Sequence, residues 1–345
     1  MEKKIVRFGI IGCGNISASH GPAVLGCTDA QLLAVCDIVP EKAQAAKEKY
    51  GAQLVYTDYI AMLDNPDIDA VCVCTPSGMH GDMVLEAAKR GKHALCEKPV
   101  EINSASLDRL IEGLRAYPQV KVGCVFQRRV APVTLLVKKG IDSGKFGKLL
   151  LADAYLKYYR TPEYYKSAGW RATWELDGGG ALMNQGVHGV DLIQWLAGGV
   201  ESVYARCGTL LHSIAVEDTS VALLRYKNGA MGTIECTTSV YPAQSTRFEL
   251  HFENGSIIFG DEGLIQWELK DGSEKITQQE AMEGSGIKDD PTKLGNLSHQ
   301  PLLDDLVDAI LSDRKPLITP AEARDAVDLI LAIYESSRTG REIRL

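Results

Sequence analysis

The sequence predicts an α/β protein in which a doubly wound parallel sheet is followed by an α/β domain with an open, mostly antiparallel sheet. Over residues 5–126, short apolar strand patterns alternate with helix patterns, as in the βαβ units of a parallel sheet. Over residues 200–269, strand patterns follow one another, and Asn-Gly pairs mark strong hairpin turns. The pattern changes after Phe126, so we expect one domain at 1–126 and a second at 127–345.

The bulk composition is that of an ordinary globular protein. The 345 residues suffice for two domains, and 45% of them are hydrophobic and 24% charged. A net charge of −8 argues against nucleic acid as a partner, because binding to phosphates needs an excess of Lys and Arg. No apolar run reaches the ~18 residues of a membrane span. The N-terminus begins as a strand pattern rather than a signal peptide, so we expect no membrane partner.

The nine cysteines indicate a reducing compartment rather than a disulfide framework. Their number is odd, and several of them lie in apolar strand patterns. Cys72 and Cys74 alternate within one strand and lack the spacing of metal ligands. We therefore expect a cytoplasmic protein with buried thiols and no metal.

The first strand pattern leads into a turn that is typical of dinucleotide-binding Rossmann domains. Gly12, Gly14 and Ser17 occupy the three small positions of this fingerprint, and a helix pattern follows. The first glycine makes the tight turn, and the second lets a pyrophosphate approach the backbone and rest on the helix N-terminus. The residues that we expect at the cofactor in this turn are Gly12, Gly14, Asn15 and Ile16.

Asp37 ends the second strand pattern and indicates which dinucleotide is bound. A carboxylate at this place can hydrogen-bond the ribose hydroxyls of an adenosine and would repel a 2′-phosphate. The next residues, Ile38 to Pro40, provide no Arg or Lys to neutralise such a phosphate. The sequence therefore favours NAD(H) over NADP(H).

Two further loops follow strand patterns of the same sheet. Ligands in open α/β sheets bind at the carboxyl ends of the strands, so both loops are candidate binding sites. For Lys98 the alternative is an ordinary surface lysine before a helix. The loop residues that we expect at the ligand are Thr75, Pro76, His80, Glu97 and Lys98.

One helix pattern in the second domain carries a polar stripe. Asn184, His188 and Asp191 recur at i, i+4 and i+7 on a helix that is otherwise apolar, which predicts that they share one face. Because unpaired buried polar groups cost roughly 1–3 kcal/mol each, this face must meet a partner or a cleft. Gly186 and Gly189 weaken the helix, which indicates that something packs close to its backbone. The alternative is a buried histidine hydrogen-bonded to Asp191.

The segment before this helix is rich in aromatic and basic side chains. Such a loop suits a carbohydrate-sized ligand, and it suits a subunit interface equally well. The residues that we expect to line the substrate pocket are Arg128, Tyr158, Trp170, Arg171, Asn184 and His188.

Together these motifs resemble one family, the Gfo/Idh/MocA oxidoreductases. The matching stretches are GIIGCGNIS at 9–17, CTPSGMH at 74–80, CEKP at 96–99 and LDGGGALMNQGVHGVDLIQWL at 176–196, and the resemblance covers nearly the whole chain. It implies a Rossmann domain and a second α/β domain whose sheet commonly serves as an oligomer interface. A homo-dimer or homo-tetramer formed through that sheet is therefore expected.

The resemblance also implies roles for single residues. The cofactor would lie between the glycine turn, Asp37 and the Thr75–His80 loop, with Glu97 and Lys98 near the nicotinamide ribose. The family's catalytic pair falls on Lys98 and His188. Inositol dehydrogenase-like members carry Asp where this chain has Asn184, which argues against assuming inositol as the substrate.

We therefore expect an NAD(H)-dependent oxidoreductase that transfers a hydride between nicotinamide and a hydroxyl-bearing carbon of a sugar, cyclitol or sugar derivative. Histidine has an unperturbed pKa of about 6.5 and suits a general base, a role that falls to His188. Lys98 would stabilise the developing alkoxide, and Asn184 would hydrogen-bond the substrate. The alternatives are a catalytically silent NAD-binding regulator, an NAD-dependent glycosidase with transient oxidation at C3, and a reductase of imines or enones.

Overall fold

The computed structural model describes residues 5–284 and 298–345, which form two compact units. The first unit consists of residues 5–127 and Ser298–Arg324, and the second of residues 128–284 and Asp325–Leu345. The sequence predicts a C-terminal domain over the whole of 127–345, whereas Gln127 and Ser298–Arg324 belong to the first unit. Among the described residues, no helix is both long and apolar enough to cross a membrane.

The first unit is built on a six-stranded sheet whose strands are all parallel, which confirms the predicted doubly wound sheet. The strand order is β3-β2-β1-β4-β5-β6, with β1 at Val6–Ile11, β2 at Ala30–Cys36, β3 at Leu54–Tyr56, β4 at Ala70–Val73, β5 at His93–Cys96 and β6 at Val122–Cys124. The short edge strand β3 was not expected from the sequence. The helices between these strands are α1 at Ser17–Gly26, α2 at Pro40–Tyr50, α3 at Tyr59–Leu63, α4 at His80–Lys89 and α5 at Ser104–Leu114.

The second unit contains an eight-stranded sheet in which only the pair β7 and β10 is parallel, so the prediction of a mostly antiparallel sheet is confirmed. Its order is β13-β12-β11-β7-β10-β9-β8-β14, with β7 at Leu149–Lys157, β8 at Val200–Gly208, β9 at Thr219–Tyr226, β10 at Met231–Thr237, β11 at Arg247–Phe252, β12 at Gly255–Gly260, β13 at Gly263–Leu269 and β14 at Ile343–Arg344. The helices that follow α5 along the chain are α6 at Pro132–Asp142, α7 at Pro162–Lys166, α8 at Val187–Ala197, α9 at Gln278–Gly284, α10 at Gln300–Leu311 and α11 at Pro320–Thr339.

Helix α10 joins the first unit because its apolar side packs there. Leu302, Leu303 and Leu306 are buried, and the helix lies against α1, β5 and β6. The amphipathic pattern predicts that the leucines of this helix are buried, but it does not indicate which domain covers them, because any apolar surface would accept them.

Helix α8 and the residue before it pack on the sheet through glycines. A Cβ built on Gly186 would lie 2.5 Å from the sulfur of Cys236 in β10, and one built on Gly189 would lie 2.4 Å from the side chain of Leu156 in β7. The predicted close approach to these glycines is confirmed. Along β9, which lies next to β10, buried and exposed residues alternate, so one face of that strand remains open to solvent.

Candidate active site

The glycine turn between β1 and α1 has the geometry that a bound dinucleotide requires. Gly12 has a φ of +94°, and a Cβ built on it would lie 2.7 Å from the carbonyl oxygen of Cys74, so only glycine fits. A Cβ built on Gly14 meets nothing within 4 Å, which leaves the backbone before α1 accessible to a phosphate. Ser17 closes the turn by donating its hydroxyl to the Gly14 carbonyl at 2.7 Å. The other predicted residues of this turn are the exposed Asn15 and the half-buried Ile16.

Asp37 is fixed beside this turn by two backbone amides. Its Oδ2 accepts a hydrogen bond from the Cys13 amide at 2.8 Å, and its Oδ1 accepts one from the Val39 amide at 2.9 Å. An open glycine turn with a carboxylate held next to it is the arrangement that recognises a pyrophosphate and an adenosine ribose. The residues of the first unit therefore fit NAD.

His80 lies beneath the loop after β4 and is only 1% exposed. Its Nδ1 is 2.7 Å from the carbonyl oxygen of Pro99, and its Nε2 is 2.8 Å from that of Thr75. Sequence reasoning placed this histidine at the cofactor. Both ring nitrogens are engaged by backbone carbonyl oxygens, so the side chain supports the loop that contains Thr75 and Pro76.

Glu97 is buried at the end of β5, next to the half-buried Lys98. Its Oε1 lies 2.8 Å from Nε2 of His20 and 2.9 Å from Nε2 of His299, and its Oε2 accepts from the Lys98 amide at 3.1 Å. Burial opposes ionisation, but the two imidazoles hold the pKa of Glu97 well below its usual range. Sequence reasoning missed both histidines, since residues 20, 97 and 299 form no motif.

Among the described residues, the same three side chains form a group that could hold a metal. Their ligand atoms lie within 4.8 Å of one another, and two imidazoles with a carboxylate form a donor set that zinc accepts. The separations of 2.8 and 2.9 Å are those of hydrogen bonds, which engage Nε2 of both histidines with the Glu97 carboxylate. Nδ1 of His20 is buried and has no hydrogen-bond partner among the described residues.

In the second unit, a glycine turn precedes the residues that were predicted to be catalytic. A Cβ on Gly180 would lie 1.9 Å from the carbonyl oxygen of Glu217. The Glu217 carboxyl accepts from the amides of Gly180 and Leu182 at 2.9 and 2.8 Å and from the hydroxyl of Tyr334 at 2.9 Å. Burial raises the pKa of Glu217 to about 7. Neither Glu217 nor Tyr334 was identified from the sequence.

The predicted continuous α-helix is wrong at its start, because Ala181–Gly186 forms a π-helical turn before α8 begins at Val187. The spacing of 3.6 residues per turn does not hold across such a turn, which is a feature often found at functional sites. Asn184 lies in the π turn and donates to Oδ1 of Asp177 at 2.5 Å. Its oxygen accepts from Gln185 at 2.6 Å, so the orientation of the amide is fixed. His188 is half-buried in the first turn of α8.

Asp191 is part of an ion pair. Its two carboxylate oxygens lie 2.7 and 2.5 Å from Nε and Nη2 of Arg129, and the carboxylate is fully buried. The guanidinium of Arg129 also lies 5.2 Å from the ring of Trp195. Asp191 therefore fixes α8 to Arg129, and its buried carboxylate is not exposed for a ligand to bind.

Two arginines flank the network around Asn184. Arg171 donates to the hydroxyl of Tyr164 at 2.7 Å, and its guanidinium lies 4.5 Å from that ring and 4.8 Å from the ring of Trp170. Arg160 donates to the side-chain oxygen of Gln185 at 2.5 Å. The Tyr164 hydroxyl lies 3.3 Å from the Asn184 oxygen, which connects both arginines to the π turn.

The predicted pocket residues Arg128 and Tyr158 belong to a different cluster. Arg128 is buried, pairs with Asp261 at 2.8 Å and donates to the Thr246 hydroxyl at 3.1 Å. The Tyr158 hydroxyl lies 3.3 Å from the same threonine. Although burial opposes ionisation, Arg128 holds the pKa of Asp261 below its usual range. The charge of Arg128 is therefore compensated within the unit.

Comparison with known proteins matches both halves of the chain to one family. Residues 6–123 match the model of an oxidoreductase family with an NAD-binding Rossmann fold, and residues 134–258 match the GFO/IDH/MocA C-terminal domain. The myo-inositol 2-dehydrogenase of Thermotoga maritima is 28% identical over 75% of this chain and 74% of its own length.

Two solved structures are similar over essentially the full length. The WlbA dehydrogenase from Bordetella pertussis, in complex with NADH and UDP-GlcNAcA, has a TM-score of 0.92 and 34% identity and covers 100% of this chain and 99% of its own. The WlbA dehydrogenase from Chromobacterium violaceum, with the same two ligands, has a TM-score of 0.90 and 30% identity over 100% of this chain and 97% of its own.

Proposed function

Because this chain belongs to the Gfo/Idh/MocA family of NAD-binding oxidoreductases, we propose that it oxidises a hydroxyl-bearing ring carbon of an acidic, nucleotide-linked sugar. One observation carries the choice of an acidic sugar. Arg160 and Arg171 are half-buried beside the Asn184 network, and within the described residues neither forms an ion pair with a carboxylate. Arg171 also has a buried Nε without a hydrogen-bond acceptor in the structure. Guanidinium groups held in this way suit a carboxylate or phosphate of the ligand.

The similarity to the two WlbA dehydrogenases supports the same substrate class. Their structures contain UDP-GlcNAcA, which carries a carboxylate and a diphosphate, and they match this chain over its whole length. Asn184 also departs from the Asp of inositol dehydrogenase-like members. An acidic sugar would gain little from another negative charge at this place.

The chemistry assigns distinct tasks to three side chains. NAD⁺, when bound, would supply the acceptor for the hydride that leaves the C–H bond. His188 takes the hydroxyl proton as general base, and Lys98 stabilises the negative charge that develops on the oxygen. Asn184, whose amide is held by Asp177, hydrogen-bonds the substrate and positions it. The products are the ketone, NADH and one proton.

A substrate panel tests this proposal. NADH formation would be measured with UDP-GlcNAcA, UDP-GlcNAc, myo-inositol and a free uronic acid, each with NAD⁺ and with NADP⁺. We expect UDP-GlcNAcA with NAD⁺ to give the highest kcat/KM. The kcat/KM of UDP-GlcNAc, which lacks the sugar carboxylate, should be lower by about 100-fold or more, because the half-buried guanidinium groups would have no carboxylate to bind. Equal rates with UDP-GlcNAc and UDP-GlcNAcA would refute the anion requirement.

Two variants separate the proposed recognition from general damage. Arg171→Gln should raise KM for the acidic sugar by about 10–100-fold and leave NADH binding unchanged. Arg115→Gln is the matched control, since Arg115 is an exposed residue directly after α5 and pairs with Glu112. Hydrolysis of the sugar without net NADH formation would instead support the NAD-dependent glycosidase.

We also propose a homo-oligomer formed through the open face of the second unit's sheet. Tyr204, Val221, Leu223 and Met231 are large side chains on neighbouring strands, and they are 39–61% exposed. Contiguous exposed apolar side chains of this kind are typical of protein interfaces. Leu223→Glu should shift the mass measured by light scattering to that of a smaller species. Leu25→Glu, in the exposed part of α1, should leave it unchanged.

A cytoplasmic location is the remaining part of the proposal. The nine cysteines all lie in described parts of the chain, and none forms a disulfide. Reduced thiols at this density are typical of a reducing compartment.

A further inference from the structure

One fully buried histidine joins the two strand-end loops of the first unit. His80 begins α4, and its ring lies between the carbonyl oxygens of Thr75 and Pro99 at 2.8 and 2.7 Å. Thr75 follows β4, and Pro99 directly follows Lys98. The ring is therefore a bridge between the expected cofactor loop and the expected catalytic lysine.

Hydrogen-bond accounting decides the charge of this ring. A neutral imidazole has one N–H and one lone pair, whereas both groups that face His80 are carbonyl oxygens and accept only. Either neutral tautomer would place a nitrogen lone pair against an oxygen at hydrogen-bond distance. A buried polar contact of that kind is unfavourable, since an unmade buried hydrogen bond costs about 1–3 kcal/mol. With both nitrogens protonated, both contacts are hydrogen bonds.

We propose that His80 is a doubly protonated imidazolium in the native enzyme and that it is a positioning residue, which clamps the Thr75 loop to the Lys98–Pro99 segment. A cation that donates to two carbonyls makes charge-assisted hydrogen bonds, which are stronger than neutral ones. Gly12 extends the same connection, because its Cα packs against Cys74 and Thr75 too closely to admit a Cβ.

The neighbouring charges act in both directions. Burial lowers the pKa of His80, and the charge of Lys98 lowers it further, whereas the two carbonyls and the charge of Glu97 raise it. On α4, Gly81 packs against Glu101, whose pKa burial raises to about 7, and Asp82 pairs with Arg109 of α5 at 2.7 Å. Burial is the largest of these effects and lowers the pKa overall, so the charged ring is inferred from the two carbonyl contacts, which no neutral imidazole can satisfy together.

Nitrogen NMR of the wild-type enzyme tests the charge without a mutation. In protein labelled with ¹⁵N in its seven histidines, spectra would be recorded at about pH 8, more than one unit above the ordinary pKa of about 6.5. We expect a ring signal with both nitrogens protonated in the wild type that is absent from His80→Gln. If the His80 ring shows a single protonated nitrogen at pH 8, the imidazolium is refuted, whichever sugar the enzyme oxidises.

Binding of NADH tests the positioning role. Glutamine can donate to only one of the two carbonyls at a time, so His80→Gln should weaken NADH binding and lower kcat/KM by about 10-fold each. The wild-type affinity should fall as rising pH removes the second ring proton, and the variant's affinity should not follow this pH change. A variant that keeps the wild-type pH dependence would overturn the clamp.

A matched histidine controls for unspecific effects. His93 begins β5, and its Nδ1 accepts from the Lys121 amide at 2.9 Å, a contact that a glutamine oxygen can reproduce. His93→Gln should leave both the doubly protonated signal and the pH dependence of NADH binding unchanged. If His93→Gln lost the doubly protonated signal or the pH dependence of NADH binding, these properties would depend on the sheet rather than on His80, and the proposal would be overturned.

Discussion

Glu97 in the first unit and Glu217 in the second are two buried carboxyl groups that support functional loops, yet their pKa values move in opposite directions. Each accepts three hydrogen bonds. The partners of Glu97 include two imidazoles, which can carry positive charge, whereas Glu217 meets two backbone amides and the hydroxyl of Tyr334, which cannot. Burial alone therefore favours the neutral carboxyl, and neighbours that can become cations reverse this effect.

We expect the largest loss of activity when the side chains next to these two carboxyl groups are removed. Lys98 follows Glu97 directly, and His188 follows the turn that Glu217 holds. Lys98→Ala and His188→Ala should each lower kcat by about 10²–10⁴-fold if they act in charge stabilisation and proton transfer. Steady-state kinetics measure this, with NADH affinity nearly unchanged for His188→Ala. Wild-type turnover in either variant would remove that residue from the mechanism.

Removal of the ionised carboxylate should destabilise the first unit strongly. Glu97→Ala leaves two buried imidazoles without their acceptor, and loss of one partner from a buried charged cluster costs about 3–5 kcal/mol. Urea unfolding of the variant measures the loss. Glu112→Ala is the control, because Glu112 is exposed and should change stability by less than about 0.5 kcal/mol. Equal unfolding midpoints in the two variants would mean that the cluster contributes little to stability.

Glu217 should make stability depend on pH in the opposite sense from Glu97. The native pKa of about 7 lies above the ordinary value of 4.5, so its favourable contribution is complete below about pH 4.5 and is lost as the pH rises through 7. Glu217→Gln cannot ionise. The stability of this variant relative to wild type should therefore rise by about 3 kcal/mol between about pH 4.5 and 8. A difference that stays constant over this range would contradict the raised pKa.

The smallest expected effect is at Asn184, where a new carboxylate would meet Asp177. Asn184→Asp replaces a donor by an acceptor 2.5 Å from Oδ1 of Asp177, so the two carboxyl groups should share a proton and one pKa should rise. The variant should be closest to wild type in acid and about 1–2 kcal/mol less stable in alkali. Thermal melting across pH measures this. Asn65→Asp, in a polar turn of the first unit, is the control.

The sequence predicted those parts of the site that follow from local pattern. The glycine turn, Asp37, the loops at the strand ends and a helix that carries His188 are present as structural features, because turn chemistry and hydrophobic period act over a few residues. Arg171 and Trp170 were also expected near the ligand, and they lie beside the Asn184 network. Arg128 was expected there too, but its ion pair with Asp261, more than a hundred residues away, has no local signal.

The sequence by itself determined the fold class, the family and the dinucleotide-binding turn, because alternating apolar periods, glycines with required backbone angles and motif order are properties of the chain. Only the tertiary structure decided the charge relations. His20 and His299 contact the carboxylate of Glu97, and Tyr334 donates to Glu217. Arg129 forms an ion pair with Asp191, which is therefore not part of an open polar face. It also decided that the helix begins with a π turn. The physical reason is that burial and electrostatic pairing depend on distances in space, which spacing along the chain does not encode.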